Sequence, residues 1–226
     1  MSKYNGEVVA IDICYPFLDA HPDVNGGKSP ALILIDSLSS YVNCSPMPQI
    51  SGKCVLDAFL NDWVRPLGKP RRILLDNGCP GFKNHLWAES NHVFGWQLAQ
   101  APPKTQSQNG LAERAVRSLK VAAGNILSSE SLPKIEQTVL TLAVIAKNHA
   151  PHTITGLPPA MEMLGRSDIL SGFAQTAFNH NPDSTAPAVK QMNSVRNITN
   201  AQNAVIHADA NRAIKTCIIR SAKGHS

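Results

Sequence analysis

The most informative stretch of this chain is Gln106-Ser-Gln-Asn-Gly-Leu-Ala-Glu-Arg114. It predicts a polar loop that Gly110 hinges, followed by a helix that Glu113 opens. Upstream, Asp76 closes one short apolar run and Asp12 closes another, so both read as strand ends. Three carboxylates therefore come from three separate elements, and 36 residues lie between Asp76 and Glu113.

Carboxylates on separate elements make chemical sense if they converge on metal ions. Hard oxygen ligands suit Mg²⁺ or Mn²⁺. Two such ions, about 3.5–4 Å apart, can clamp the attacking and leaving oxygens of an in-line phosphoryl displacement. The sequence thus predicts a two-metal site that acts on phosphate esters.

These motifs resemble the catalytic core of retroelement and retroviral integrases, the D,D-35-E group. The resemblance rests on Asp76-Asn-Gly, on Asn109-Gly-x-x-Glu-Arg114 and on a closing stretch, His152-Thr-Ile-Thr-Gly-Leu-Pro-Pro-Ala-Met-Glu-Met-Leu-Gly-Arg166. It covers roughly residues 7 to 166. It implies an α/β ribonuclease H-like fold, a five-stranded mixed sheet flanked by helices, and DNA 3′-end cleavage and strand transfer by an integrase from an LTR retrotransposon.

The resemblance also implies roles for single residues. Asp12 would bridge two Mg²⁺ or Mn²⁺ ions, Asp76 would bind one and Glu113 the other. Lys120 and Arg117 follow Glu113 at helical spacing and would contact DNA phosphates. The plainer interpretation is a solvated basic face with a Glu113–Arg117 pair. Amides of the loop before the helix, Gln108 and Asn109, would also touch DNA.

Asp36 is a rival for the first carboxylate, because it also ends an apolar strand. The family has a similar Asp-x-x-Ser on its second strand, here Asp36-Ser-Leu-Ser39, and treats it as structural. We therefore expect Asp36 to be structural. We also expect His152 and Thr155-Gly156 to fix a junction between a helix and a loop, and Trp63, Trp87 and Trp96 to pack.

Hydrophobic periodicity predicts the order of the elements. The predicted strands are residues 7–14, 31–36, 41–47, 71–76 and 95–100, the second and third forming a hairpin. The predicted helices are one capped by Ser51 that ends before Pro66, a short one at 83–92, and two at 110–128 and 132–149. Residues 19–29 read as a loop.

Three segments are expected: a core over 1–166, a linker-like stretch over 167–197 and a C-terminal helix and tail over 198–226. The chain departs from the family pattern between Asp76 and Phe82, where one extra residue accounts for a spacing of 36 rather than 35. Neither a His/Cys zinc module nor a basic β-barrel can be read in the sequence. A core fragment, a diverged element and a domesticated remnant all fit.

Composition limits the class of protein. A net charge of +5 suits an anionic partner such as DNA, and the resemblance adds homo-oligomerisation. Five scattered cysteines fit a reducing nuclear or cytoplasmic compartment rather than secretion, and no apolar run is long enough for a membrane span. A ribonuclease H-type nuclease, an insertion-sequence transposase and a non-catalytic DNA-binding protein derived from an integrase remain alternatives.

Overall fold

Five strands form one mixed sheet. The computed structural model describes residues 4–14, 30–75, 82, 85–100, 106–128, 136–152, 155–165 and 199–208. Its strands are β1 (Val8–Cys14), β2 (Ala31–Asp36), β3 (Val42–Pro46), β4 (Arg72–Leu75) and β5 (Gln97–Gln100). Their spatial order is β3-β2-β1-β4-β5. The pairs β1–β2 and β2–β3 are antiparallel, and β1–β4 and β4–β5 are parallel. The predicted hairpin and the predicted mixed sheet are confirmed.

Helices cover both faces of the sheet. They are α1 (Gly52–Phe59), α2 (Arg65–Leu67), α3 (His85–Phe94), α4 (Gln106–Leu127), α5 (Glu136–His149) and α6 (Pro159–Leu164), and residues 199–208 are also helical. A π-helical turn, Leu60–Val64, joins α1 to α2. Of the helices that the structure describes, none has the length and apolar character needed to cross a bilayer.

Strand β2 shows how two layers of helices bury one sheet. Ala31, Ile33 and Ile35 pack with α4 and α5, whereas Leu32 and Leu34 pack on the opposite face with α1 and three tryptophans. All six residues of β2 are buried, as expected for a strand covered on both faces. Successive side chains point to opposite faces, so this alternation also assigns a face to each residue of β1.

The tryptophans belong to the core, as expected from the sequence. Trp63, Trp87 and Trp96 are each at most 1% exposed. The ring of Phe59 lies 5.8 Å from that of Trp87 and 5.5 Å from that of Trp96, between centroids. Such contacts are typical of aromatic packing, so none of the three is available to stack on a base.

The helix after Ser51 begins as predicted but does not end as predicted. The Ser51 hydroxyl accepts the N–H of Cys54 at 3.2 Å and caps α1. Pro66 was expected beyond the helix end, yet it lies inside α2. A proline removes the N–H that would bond the carbonyl four residues earlier, here Asp62. The side-chain amide of Asn43 donates to that carbonyl instead, at 2.8 Å. The wider π-helical turn at Leu60–Val64 directly precedes the segment that contains the proline ring.

Helix α4 begins earlier than predicted. The predicted helix starts at Gly110, whereas the observed one starts at Gln106. The segment Gln106–Asn109 is therefore helical rather than part of a loop, and Gly110 is a helical residue and not a hinge. The polar side chains suggested a loop, but helical backbone bonding continues through them, since polar residues lower helix propensity only slightly.

The C-terminal part of the chain contributes to the core. Ala201 and Val205 are at most 1% exposed and belong to the same packed cluster as α4 and α5. The predicted linker, 167–197, and the predicted loop, 19–29, lie outside the described residues. The division into core, linker and tail thus stays a prediction.

Candidate active site

Asp12 lies two residues before the end of the central strand, β1, so it does not close the strand as predicted. It is partly exposed, and its carboxylate accepts the N–H of Ile13 at 2.8 Å. Ala10 and Cys14, two residues before and after it, pack with the cluster of α4 and α5. Because side chains alternate along a strand, Asp12 is on the sheet face that α4 covers.

The second predicted carboxylate, Asp76, lies outside the described residues. The strand that leads to it is described. Leu75 pairs with Ile11, the neighbour of Asp12, and Leu74 packs on the α4 face. Parallel strands present their carboxyl ends at one edge of a sheet, so β1 and β4 both end at the edge that carries Asp12.

Glu113 lies on α4, which packs against β1 and β2. It is the eighth residue of α4 and lies about two turns after the start of the helix, whereas the sequence predicted that it would open the helix. A dipole role for Glu113 is thereby weakened, since that effect is confined to the first turn. Its side chain is exposed, and the buried face of α4 is formed by other residues, among them Ala115 and Leu119.

Two predicted DNA contacts share the face of Glu113. Arg117 and Lys120 are exposed and follow Glu113 by four and seven residues, which places all three on one side of the helix. The backbones of Gln108 and Asn109 are in the first turn of α4, and their side chains lie outside the description. Among the described residues, no group of three or more His, Cys, Asp or Glu side chains could hold a metal ion.

No family model matches the sequence, and no curated protein matches it. Solved structures do match the fold. The HTLV-2 integrase catalytic core domain in complex with magnesium (trimeric form) gives a TM-score of 0.58 at 19% identity, over 72% of this chain and 99% of that chain. The catalytic core domain of BIV integrase gives 0.56 at 20% identity, over 76% and 99%.

The chain has the fold of a retroviral integrase catalytic core. A chain of the simian T-cell lymphotropic virus intasome, in complex with PP2A regulatory subunit B56 gamma, gives a TM-score of 0.62 at 18% identity, over 72% of this chain and 56% of that chain. The predicted ribonuclease H-like class is confirmed. At these identities the similarity establishes the fold alone, and any inference about activity has to rest on the residues of the site.

The integrase-core fold assigns Asp36 to structure, as the sequence predicted. Asp36 is fully buried, and its carboxylate accepts N–H bonds from Gly6, Leu38 and Ser39 and the hydroxyl of Ser39, at 2.7–3.2 Å. It pairs with Val9, whereas Asp12 pairs with Ile33. Along the strand direction, Asp36 and Asp12 are therefore three residues apart, which is about 10 Å.

The closing motif of the integrase-core fold builds a connector between α5 and α6. The N–H of His152 donates to the carbonyl of Leu157 at 3.0 Å, and the carbonyl of His152 accepts from Gly156 at 2.8 Å. Gly156 has a φ of +71°, which favours glycine. The backbone of His152 and Gly156 thus holds the junction, as expected. Arg166, the last residue of the motif, lies outside the described residues.

One contact in the N-G-x-x-E-R motif was missed from the sequence. A Cβ placed on Gly110 would lie 3.3 Å from Nη1 of Arg114, so the guanidinium folds back over the glycine one turn earlier. The i,i+4 spacing of Gly110 and Arg114 on a helix is the signal that could have revealed it. A side chain at position 110 would have to displace the flexible end of Arg114 by a few tenths of an ångström.

Proposed function

We propose that this chain is an integrase-type catalytic core, a polynucleotidyl transferase that trims DNA 3′ ends and joins them to a target DNA. One arrangement carries the proposal. Strands β1 and β4 run parallel side by side to Asp12 and to Leu75, the residue before Asp76, and α4, which carries Glu113, packs against β1. This arrangement supports the proposal, because the strand that carries Asp12 and the strand that leads to Asp76 run side by side, next to the helix that carries Glu113.

The chemistry of the donors fits divalent cations. Asp12 and Glu113 both reach solvent, and carboxylate oxygens are the ligands that Mg²⁺ and Mn²⁺ prefer. The HTLV-2 core is a magnesium complex, which supports the same choice here. Asp12, Asp76 and Glu113 would hold two ions. When bound, the ions lower the pKa of a nucleophilic water or DNA 3′-hydroxyl and offset charge on the leaving oxygen.

The rest of the work falls to the side chains of this chain. Asp12 is oriented by the backbone N–H of Ile13, and Glu113 is held on a helix whose opposite side is buried. Rigid placement of the reacting groups supplies much of the rate in such transfers. No covalent enzyme intermediate is needed.

The exposed basic face of α4 would hold the DNA beside the scissile bond. Lys120 and Arg117 can contact phosphates without reading sequence, and Gln108 and Asn109 would add polar contacts one or two turns earlier. A phosphate on this face also brings the reacting bond toward Glu113, which lies on the same side of the helix.

Self-association belongs to the proposal. The HTLV-2 core has been solved in a trimeric and a dimeric form, and the simian virus chain belongs to an intasome. We therefore propose homo-oligomers that bind element ends and target DNA, an origin in an LTR retrotransposon, and work in the nucleus or cytoplasm, where cysteines stay reduced.

The test is metal-dependent cleavage and joining on a branched DNA substrate. With Mg²⁺ or Mn²⁺ the parent chain should release and join strands, and Glu113→Gln should reduce both products to background, because an amide is a far weaker metal ligand than a carboxylate. Glu89→Gln is the matched control, since Glu89 is also exposed on a helix but lies on α3. It should retain parental activity.

The outcomes separate the alternatives. Hydrolysis without joining would indicate a ribonuclease H-type nuclease, whereas joining favours an integrase or a transposase. If the parent chain binds DNA but yields no product with either metal, the catalytic proposal is wrong and a non-catalytic DNA-binding role replaces it.

A further inference from the structure

Four cations lie within residues 65–72, on the segment that leads into the amino end of β4, opposite to Asp12. Arg65 is the first residue of α2, and Lys69 follows that helix. Arg71 precedes β4, and Arg72 is its first residue. All four side chains are exposed. We call this set the basic edge.

Local hydrogen bonds hold the basic edge in place without neutralising it. Lys69 Nζ donates to the carbonyl of Phe94 at 2.9 Å, and Arg72 Nη2 donates to Gln97 Oε1 at 3.4 Å. Both acceptors are uncharged, so both cations keep their charge. Arg65 forms no ion pair with any residue that the structure describes.

Arg71 has a structural role that the other three lack. Its Nη1 lies 3.3 Å from Oε1 of Glu7, whose side chain is only 5% exposed. A nearly buried carboxylate needs a partner, so this pair is part of the fold. Within the described part of the chain, the pair with Glu7 is the ion pair that involves these four cations, so the surplus positive charge rests on Arg65, Lys69 and Arg72.

The strand register fixes where the basic edge lies. Arg72 pairs with Val8 on one side and with Gln97 on the other, at the amino ends of three parallel strands. Leu75 pairs with Ile11, three residues further on. The basic edge is therefore about 10 Å from the carboxyl edge along the strand direction, and it is distinct from the basic face of α4.

We propose that the basic edge binds the phosphate backbone of a nucleic acid, as a second contact surface remote from the carboxylates. Guanidinium groups suit phosphate because they present a planar fork of donors. Segments that dock on anionic membranes pair basic residues with a broad apolar face. The exposed apolar side chains near this end of the sheet, among them Tyr4, Leu38 and Val93, come from separate segments and not from one amphipathic helix.

The inference rests on the proposed function in taking nucleic acid as the polyanion. Its consequence is that a DNA or RNA segment can be held at the amino ends of the strands while another segment occupies the carboxyl edge. Contacts of this kind fix position and carry no sequence preference.

The experiment measures the salt dependence of binding to a random-sequence DNA duplex, with a chelator present so that no cleavage occurs. The triple variant Arg65→Gln, Lys69→Gln, Arg72→Gln should bind more weakly at every sequence. The magnitude of its slope of log K against log salt should fall by about 2.7, since each lost phosphate contact removes about 0.9. Arg71 is left intact because its pair with Glu7 supports the fold.

Three controls sharpen the result. Lys53→Gln removes an exposed cation that already pairs with Asp57 at 2.6 Å, and it should leave the slope unchanged. Arg72→Lys keeps the charge and should also leave the slope unchanged. Thermal unfolding of the triple variant should match that of the parent, which shows that lost binding is not lost structure.

A parental slope in the triple variant overturns the inference, even if strand joining succeeds. The expected fall of about 2.7 in the slope of the triple variant supports the inference, even if the parent and Glu113→Gln both fail to cleave or join DNA. Binding of the parent, but not of the triple variant, to vesicles of anionic phospholipid, with an unchanged DNA slope, would also overturn it and assign the edge to membranes.

Discussion

At the residue scale, two aspartates in similar sequence contexts have different fates. Asp12 and Asp36 each follow an apolar run in the sequence, and the sequence alone could rank them only through the family resemblance. Register separates them, because β2 runs antiparallel to β1 and its last residue lies at the amino end of β1. Asp36 is then buried among backbone donors, whereas Asp12 stays partly exposed.

The burial of Asp36 predicts a stability defect. Asp36→Ala would remove the acceptor to which the N–H groups of Gly6, Leu38 and Ser39 donate. We expect a loss of roughly 3 kcal/mol in the free energy of unfolding, measured by urea denaturation. Ser37→Ala is the control in the same turn, because the buried Ser37 hydroxyl has no hydrogen-bond partner among the residues that the structure describes. It should be neutral or slightly stabilising, and an Asp36→Ala variant as stable as the parent would contradict this account.

At the element scale, β3 is an edge strand whose outward N–H groups have partners within the chain. The side-chain amide of Asn148, on α5, accepts the N–H of Val42 at 2.9 Å and donates to the carbonyl of Val42 at 2.7 Å, as a neighbouring strand would. The N–H of Cys44 is bonded by the side chain of Asn43, and Pro46 has no N–H to offer. Edges left open invite pairing with other chains, so these contacts protect β3.

Removal of the Asn148 amide tests this element. Asn148→Ala should lower the free energy of unfolding by about 1–3 kcal/mol, because it leaves both backbone groups of Val42 without their partner. It should also speed amide hydrogen exchange at Val42. Thr141→Ala, an exposed change on the same helix, should have little effect on either measurement. Unchanged exchange at Val42 would show that the Asn148 contact does not protect the strand.

At the scale of the whole molecule, helical residues 199–208 complete the core. Their sequence predicted an Ala-rich helix but gave no docking site for it. Ala201 and Val205 bury against the cluster formed by β2, α4 and α5, so the folded unit reaches beyond the closing motif at residue 166.

A charge at Val205 should reveal that docking. Val205→Asp places a carboxylate at a position that is 1% exposed, and we expect it to cost at least ~2 kcal/mol of unfolding free energy. His207→Asp puts the same group at an exposed position of the same helix and should be close to neutral. Chemical denaturation of both variants, followed by circular dichroism, makes the comparison. Equal stability of the two would mean that the helix adds nothing to the core.

The five strands, most of the helices, the Ser51 cap and the faces of α4 could be predicted from the sequence, because each of these follows from local periodicity and local hydrogen bonding. It also singled out Asp12 and Glu113, which the structure places at the carboxyl edge of β1 and on the exposed face of α4. Asp76 lies outside the described residues, so its place in the site is still a prediction.

Contacts between residues far apart in the sequence could not be predicted, because they depend on how the elements pack. The bond from Asn43 to Asp62 lets the helix continue through Pro66, the amide of Asn148 covers an edge strand 106 residues away, and register assigns Asp36 to the fold. No local pattern encodes these outcomes, because each is fixed by which elements meet in space. The basic edge is different: its four cations are neighbours within residues 65–72, and the fold decides only that they lie at the amino ends of the strands, because β4 pairs there with β1 and β5.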